Sequence, residues 1–234
     1  MLRIADTADE LARAVAEAMA EKVSRTLSQQ PLFSLVLSGG NTPQRLYRLL
    51  AGEYALQIDW NRVHLFWGDE RYVPYDHPGS NFRLARETLI EPLHIPGENV
   101  HPMPTHIDTP SQAARLYESA LRAFLGNAPR FDLVLLGMGT DGHTASLFPG
   151  TPVLQERARW VAVGEAPVEP RVRLTLTLPA LNAAKAVYFL VTGADKAQTV
   201  QRVLAGESVL PAALVLPREG ELVWWLDKAA AKGL

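Results

Sequence analysis

Four short polar segments of this chain hold side chains able to do chemistry. Gly137-Met-Gly-Thr-Asp141-Gly142-His143 ends in an imidazole two residues after a carboxylate. A group titrating near roughly 6.5 suits general-base work at neutral pH. From position alone His143 stays open to two readings, a base or a structural residue. Gly39-Gly40-Asn41-Thr42-Pro43 lets backbone N–H groups approach an anion closely, with Thr42 placed as N-cap and Pro43 as first helical residue. The helix N-terminus adds its positive end, so a phosphate fits there; a tight turn with an ordinary cap explains the residues equally well. In Asp69-Glu70-Arg71 neighbouring side chains at a strand end point in different directions, so the two acids are no ready-made pair. A surface salt-bridge cluster is one reading. Arg71 binding a carboxylate or phosphate, or steadying an oxyanion, is the other. Lys196 opens a helix, the end cations normally avoid. It points to an anionic ligand or to a solvated surface lysine.

Other candidates weigh less. Gly137-Met-Gly139-Thr-Asp-Gly142 spells a dinucleotide fingerprint, with Glu165 at about the distance of a ribose-binding acid. Pro149, Gly150 and Pro152 interrupt the helix that must follow, so a nicotinamide site is rejected. His64 lies inside a strand as a packing residue, and His77, His94, His101 and His106 lie in irregular regions. His101 and His106 match no metal-site spacing, and no third ligand is evident. Trp224-Trp225 reads as one buried and one half-exposed strand residue.

These segments need a scaffold, and the apolar pattern supplies one. Thr7-Ala-Asp-Glu10 is a capping box opening a helix to about Leu27. Strands are expected at Leu32–Leu37, Val63–Trp67, Phe131–Leu136, Trp160–Val163, Val172–Thr177, Val187–Thr192 and Leu222–Leu226. Further helices begin near Ser80 and at Thr109-Pro110, and one runs from about Ala194 to Leu204. Strand-helix alternation predicts an α/β fold, a doubly wound and mostly parallel sheet with helices on both faces. In such a sheet ligands bind beyond the carboxyl ends of the strands, and all four polar segments follow strands. Pro92–Pro110 reads as one long surface connection rather than a linker between lobes, so one domain over 1–234 is expected.

Composition limits the function classes. The chain has 234 residues, 47% of them hydrophobic and 21% charged, with a net charge of −2. No basic excess points to nucleic acid or anionic membranes. The absence of cysteine excludes disulfides, thiolate metal sites and a cysteine nucleophile. No apolar run approaches the ~18 residues of a membrane span, and residues 1–10 hold no apolar signal core. A cytoplasmic protein acting on a small molecule is expected, with no obligate protein partner.

The polar segments together resemble the 6-phosphogluconolactonase family, within the glucosamine/galactosamine-6-phosphate isomerase superfamily. The matching stretches are Leu37–Pro43, Trp67–Val73 with Ser80–Leu84, Leu136–Pro149 and Arg173–Thr177, in the family's order and spread over most of the chain. The resemblance implies a fold like that of sugar-phosphate isomerases and deaminases. It implies hydrolysis of 6-phospho-D-glucono-1,5-lactone in the oxidative pentose phosphate pathway, without metal or organic cofactor. It would make His143 the acid/base, with Asp141 and Asp69 shaping the site and Arg71 contacting substrate. Gly39, Gly40, Asn41 and Thr42 would form the phosphate loop, with Arg173 and Lys196 closing on the same phosphate. The main rival is a glucosamine-6-phosphate deaminase/isomerase, whose Gly-x-Asp-Gly-His loop continues to a supporting glutamate. Here Phe148 stands at that place, and Arg71 stands where the deaminases carry an aromatic. A non-catalytic sugar-phosphate sensor is a third reading, but such sensors carry a DNA-binding segment for which this chain has neither room nor basic charge.

Overall fold

The apolar runs become strands buried on both faces, as a covered parallel sheet requires. The computed structural model describes residues 1–234. Its strands are β1 (Leu2–Ala5), β2 (Phe33–Leu37), β3 (Val63–Trp67), β4 (Asp69–Arg71), β5 (Val100–His101), β6 (Leu133–Leu136), β7 (Val161–Glu165), β8 (Val172–Leu176), β9 (Ala186–Val191) and β10 (Glu221–Asp227). The helices are α1 (Ala8–Leu27), α2 (Asn41–Ala51), α3 (Asn81–Ala85), α4 (Glu91–Leu93), α5 (Pro110–Leu125), α6 (Leu178–Leu181) and α7 (Ala197–Leu204).

Seven strands form one sheet in the order β1-β10-β9-β6-β2-β3-β5, every pairing parallel. Helices pack around it, the α/β architecture the alternation predicts. From β2 the chain builds outward through β3 to β5; from β6 it builds the other way, through β9 to β10. The winding therefore reverses between β2 and β6, and their carboxyl ends flank the crevice where open α/β sheets bind ligands.

Local chemistry sets the helices. Thr7 and Glu10 form the expected capping box on α1, worth about 1 kcal/mol. Leu11, Val15, Met19 and Val23 recur at helical spacing and are buried. A cluster of 61 buried apolar residues runs through the molecule. In it Phe189 and Trp224, register partners on β9 and β10, stack with ring centroids 3.9 Å apart. Trp224 is buried and Trp225 half-buried, as read from the sequence.

Two features depart from the sequence reading. First, β7 and β8 do not join the parallel sheet; with β4 they form a separate antiparallel sheet, β4-β8-β7. The connection Ala166–Arg171 is far shorter than the dozen or so residues a parallel crossover needs, so a hairpin is forced. Second, both edges of the main sheet, β1 and β5, went unpredicted. Each is short and partly exposed, and its pairing depends on partners distant in sequence. β5 lies within the irregular Pro92–Pro110 stretch.

Candidate active site

The four polar segments meet at the winding reversal. They line a cleft of about 480 Å³ bounded by Ser38–Pro43 after β2, Asp69 and Arg71 on β4, and Asn81 on α3. Gly137–Gly139 and His143–Ala145 follow β6, and Thr192, Asp195 and Lys196 follow β9. Of the residues given a site role from the sequence, all line this cleft except Asp141, which contacts His143, and Arg173; Glu70 does not line it either.

The His143 loop is built for close contact. Gly139 donates its N–H to the His143 carbonyl at 2.9 Å, and Gly142 sits at φ +78°, the left-handed region that favours glycine. A side chain at Gly139 would collide with the His143 ring and the Asp141 carboxylate. His143 Nδ1 lies 2.6 Å from Asp141 Oδ1, and the His143 backbone N–H donates to the same oxygen at 3.1 Å. An ionised carboxylate only accepts, so the proton on this edge of the ring belongs to Nδ1, and in the neutral imidazole Nε2 then carries the lone pair. Burial raises the Asp141 pKa, but the hydrogen bonds and charge of His143 outweigh it and hold the carboxyl below its usual value. Phe148 packs on the other side, ring centroid 4.3 Å from the imidazole. The loop continues no helix, in keeping with rejection of the dinucleotide reading.

On the opposite wall the surface-cluster reading of Asp69-Glu70-Arg71 fails, because Asp69 and Glu70 are both buried. Asp69 Oδ2 accepts from the Ser146 hydroxyl at 2.6 Å; Asn81 Nδ2 donates to the Asp69 carbonyl at 2.9 Å and to Oδ1 at 3.3 Å. Arg71 and Arg173 are direct register partners on β4 and β8. Like charges placed so are unfavourable in a sheet, and each arginine keeps a buried Nε without a partner. Burial, then the charge of Arg71, lowers the Arg173 pKa, with Asp69 and Glu70 opposing. Arg71 donates one hydrogen bond, at 2.5 Å, to the Gly79 carbonyl. Lys196 has Asp195 as its ion-pair partner, at 3.5 Å.

The glycine-rich turn differs from its expected form. Gly40, at φ +101°, is the N-cap of α2, and the helix starts at Asn41. Thr42 is therefore inside the first turn, its hydroxyl 2.8 Å from that of Thr192, and no side chain caps the helix. The N–H groups of the first turn, which no intrahelical carbonyl reaches, remain to meet a ligand. Gly39 has a different reason to lack a side chain: any Cβ there would strike Asn81 Oδ1.

Asn81 is among the cleft residues to which the sequence reading assigns no role, with Thr144, Thr192 and Asp195. A signal was present, since asparagine disfavours helix interiors and here follows the capping Ser80. For Ser146 the sequence carries no comparable signal.

Known proteins resemble this chain over nearly its whole length. A family model described as glucosamine-6-phosphate isomerases/6-phosphogluconolactonase matches residues 6–224. A 6-phosphogluconolactonase of Synechocystis sp. is 44% identical over 220 residues, covering 91% of this chain and 89% of that protein. One from Rattus norvegicus is 43% identical over 239 residues, covering 99% and 93%. The crystal structure of a 6-phosphogluconolactonase from Thermotoga maritima superposes with a TM-score of 0.86 at 34% identity, covering 97% of this chain and 99% of that one.

Proposed function

The chain belongs to the family of glucosamine-6-phosphate isomerases and 6-phosphogluconolactonases, and we propose that residues 1–234 act as one lactonase domain. The enzyme hydrolyses 6-phospho-D-glucono-1,5-lactone to 6-phospho-D-gluconate, a step of the oxidative pentose phosphate pathway. The observation that carries this reading is the His143–Asp141 pair on a cleft that also presents Arg71 and Lys196.

A lactone carbonyl is electrophilic, but neutral water attacks it slowly. With Nδ1–H held by Asp141, His143 Nε2 takes a proton from water as its oxygen bonds to the carbonyl carbon. The imidazolium formed is stabilised by Asp141 and returns that proton to the ring oxygen as the ring C–O bond breaks. Positioned acid/base help contributes typically ~10²–10⁴-fold. The phosphate is held by Gly39, Gly40 and the first turn of α2 at Asn41 and Thr42, together with Lys196. Arg71 contacts the substrate on the facing wall, and Arg173 adds its charge from directly across the strand pair. Fixing the phosphate fixes the carbonyl against the water, which contributes through orientation. Asp69, tied to Asn81 and Ser146, keeps that wall in place.

Phe148, rather than an acid, packs on His143, which counts against the deaminase/isomerase alternative. The mechanism calls on no metal or organic cofactor. A cytoplasmic location is part of the same proposal, in keeping with the cysteine-free composition.

The test generates the lactone in situ with glucose-6-phosphate dehydrogenase and follows its disappearance. Acceleration over spontaneous ring opening, surviving exhaustive EDTA treatment, is expected. No acceleration would refute the activity, and loss on chelation with recovery on adding a divalent metal would refute the metal-free mechanism.

A further inference from the structure

Glu70 is 1% exposed and does not line the cleft. Its carboxylate is nevertheless fully engaged. Oε1 accepts the N–H groups of Arg71 and Asn81, each at 2.7 Å. Oε2 accepts the Phe82 N–H at 2.7 Å and the Ser80 hydroxyl at 3.0 Å. Burial, helped by the charge of Asp69, holds the Glu70 pKa above its ordinary value against the backbone donors of Asn81, Phe82 and Arg71. A carboxylate with four donors on two oxygens has no free site with which to shuttle a proton.

Those donors bracket one excursion of the chain. Arg71 ends β4, Ser80 is the N-cap of α3 and Asn81 is its first residue. Arg71 and Asn81 are also the two points at which this excursion reaches the cleft wall. One buried carboxylate thus ties together the backbones of two cleft-lining residues. Its influence extends further, because Asn81 holds Asp69 and Asp69 holds Ser146 on the His143 loop.

We propose that Glu70 is a positioning residue for this reaction, holding Arg71 and Asn81 at the separation that substrate binding requires. The inference rests on the lactonase reading above, so wild-type protein is assayed first. No turnover there refutes that reading and leaves nothing for Glu70 to position.

Given wild-type turnover, the decisive variant is Glu70→Gln. It keeps the size of the side chain but turns an NH₂ group toward donors from which it cannot accept. The expected result is a rise in KM of roughly 10-fold, with kcat within about 3-fold of wild type and its pH dependence unmoved, since His143 is untouched. A smaller folded fraction gives the opposite split, a lower kcat at wild-type KM. That pattern, or unchanged kinetics, overturns the proposal. In a double-mutant cycle, Glu70→Gln and Asn81→Ala together should lose less than the sum of the two single losses, because Glu70 acts partly through Asn81. Strict additivity overturns it too. Should Glu70→Gln fail to fold, Ser80→Ala removes one of the four donors and spares the three backbone ones. Its KM should rise roughly 2- to 5-fold, and an unchanged KM then overturns the proposal.

Discussion

The two ends of the parallel sheet treat their cations in opposite ways. At the amino ends of β2, β6 and β9, Asp132 is surrounded by partners. The backbone N–H and hydroxyl of Ser34 donate to Oδ2 at 2.8 Å each, and Lys185 and Gln30 donate to Oδ1 at 2.8 and 3.1 Å. At the carboxyl ends, Arg71 and Arg173 stand side by side with unpartnered Nε groups, and Lys196 holds its ion partner only loosely. A buried polar group without a partner costs roughly 1–3 kcal/mol, more when charged. The amino end meets that demand; the carboxyl end meets it for the carboxylates of Asp69 and Glu70 and leaves it open for the cations. The closed end reads as stability and the open end as a place kept for an anionic ligand.

The comparison breaks most sharply if the open end carries no chemistry. His143→Ala should lower kcat by about 10²–10⁴-fold while leaving the melting temperature within a degree or two, because the side chain is part-exposed and serves no core contact beyond Phe148. Near wild-type turnover, or an unfolded variant, would make His143 structural instead.

The closed end should show the converse. Asp132→Ala removes the acceptor of four hydrogen bonds and strands the Ser34 N–H in the core, a loss of about 2–3 kcal/mol of stability once the exposure of Lys185 is allowed for. Denaturant unfolding measures it. KM should not move, and a variant equally stable but with a raised KM would contradict the division between the two ends.

A finer test asks whether the open cations serve the phosphate. Lys196→Ala should lower kcat/KM by roughly 10- to 150-fold on the phosphorylated lactone. Arg173→Ala should lower it less, since that side chain does not line the cleft. The losses should largely vanish on unphosphorylated gluconolactone. Equal losses on both substrates would place the phosphate elsewhere.

The smallest effect lies away from both ends, where His64 Nδ1 and His101 Nε2 sit 3.0 Å apart among Phe66 and Phe124. Burial, then His64, lowers the His101 pKa to about 4, and burial lowers that of His64 against the opposing charge of Glu98. The unfolded chain takes up the His101 proton near pH 6.5 and the folded one refuses it until about pH 4. Stability is therefore fully present above about pH 6.5 and is lost as pH falls toward 4. Discounted for the partial exposure of the ring, His101 contributes about 1–2 kcal/mol to that loss. His101→Phe should flatten the stability-against-pH curve in this window, and an unchanged slope would show that the pair does not titrate as described.

Much of this molecule is legible without coordinates because it depends on near neighbours in the chain. The capping box of Thr7 and Glu10, the fully buried runs of β2, β6 and β9, and the loop joining Asp141 to His143 all follow from residues within a few positions of one another. The winding rule for parallel sheets then sends every strand-following polar segment to one end, so the location of the cleft is also written in the order of the elements. What lies beyond that depended on which distant residues meet. Glu70 reads as a surface acid until α3 folds back and brings Ser80, Asn81 and Phe82 onto its carboxylate. Gly39 reads as a glycine kept small for a ligand, yet its space is taken by Asn81 from α3, 42 positions later. Arg173 becomes the partner of Arg71 only because a short hairpin pulls β8 out of the main sheet and against β4. Periodicity and capping act over a turn or a strand, so the chain alone determines the elements and their order. A hydrogen bond between residues far apart exists only once the elements pack, so tertiary structure alone decides which buried charges are satisfied and which are left open.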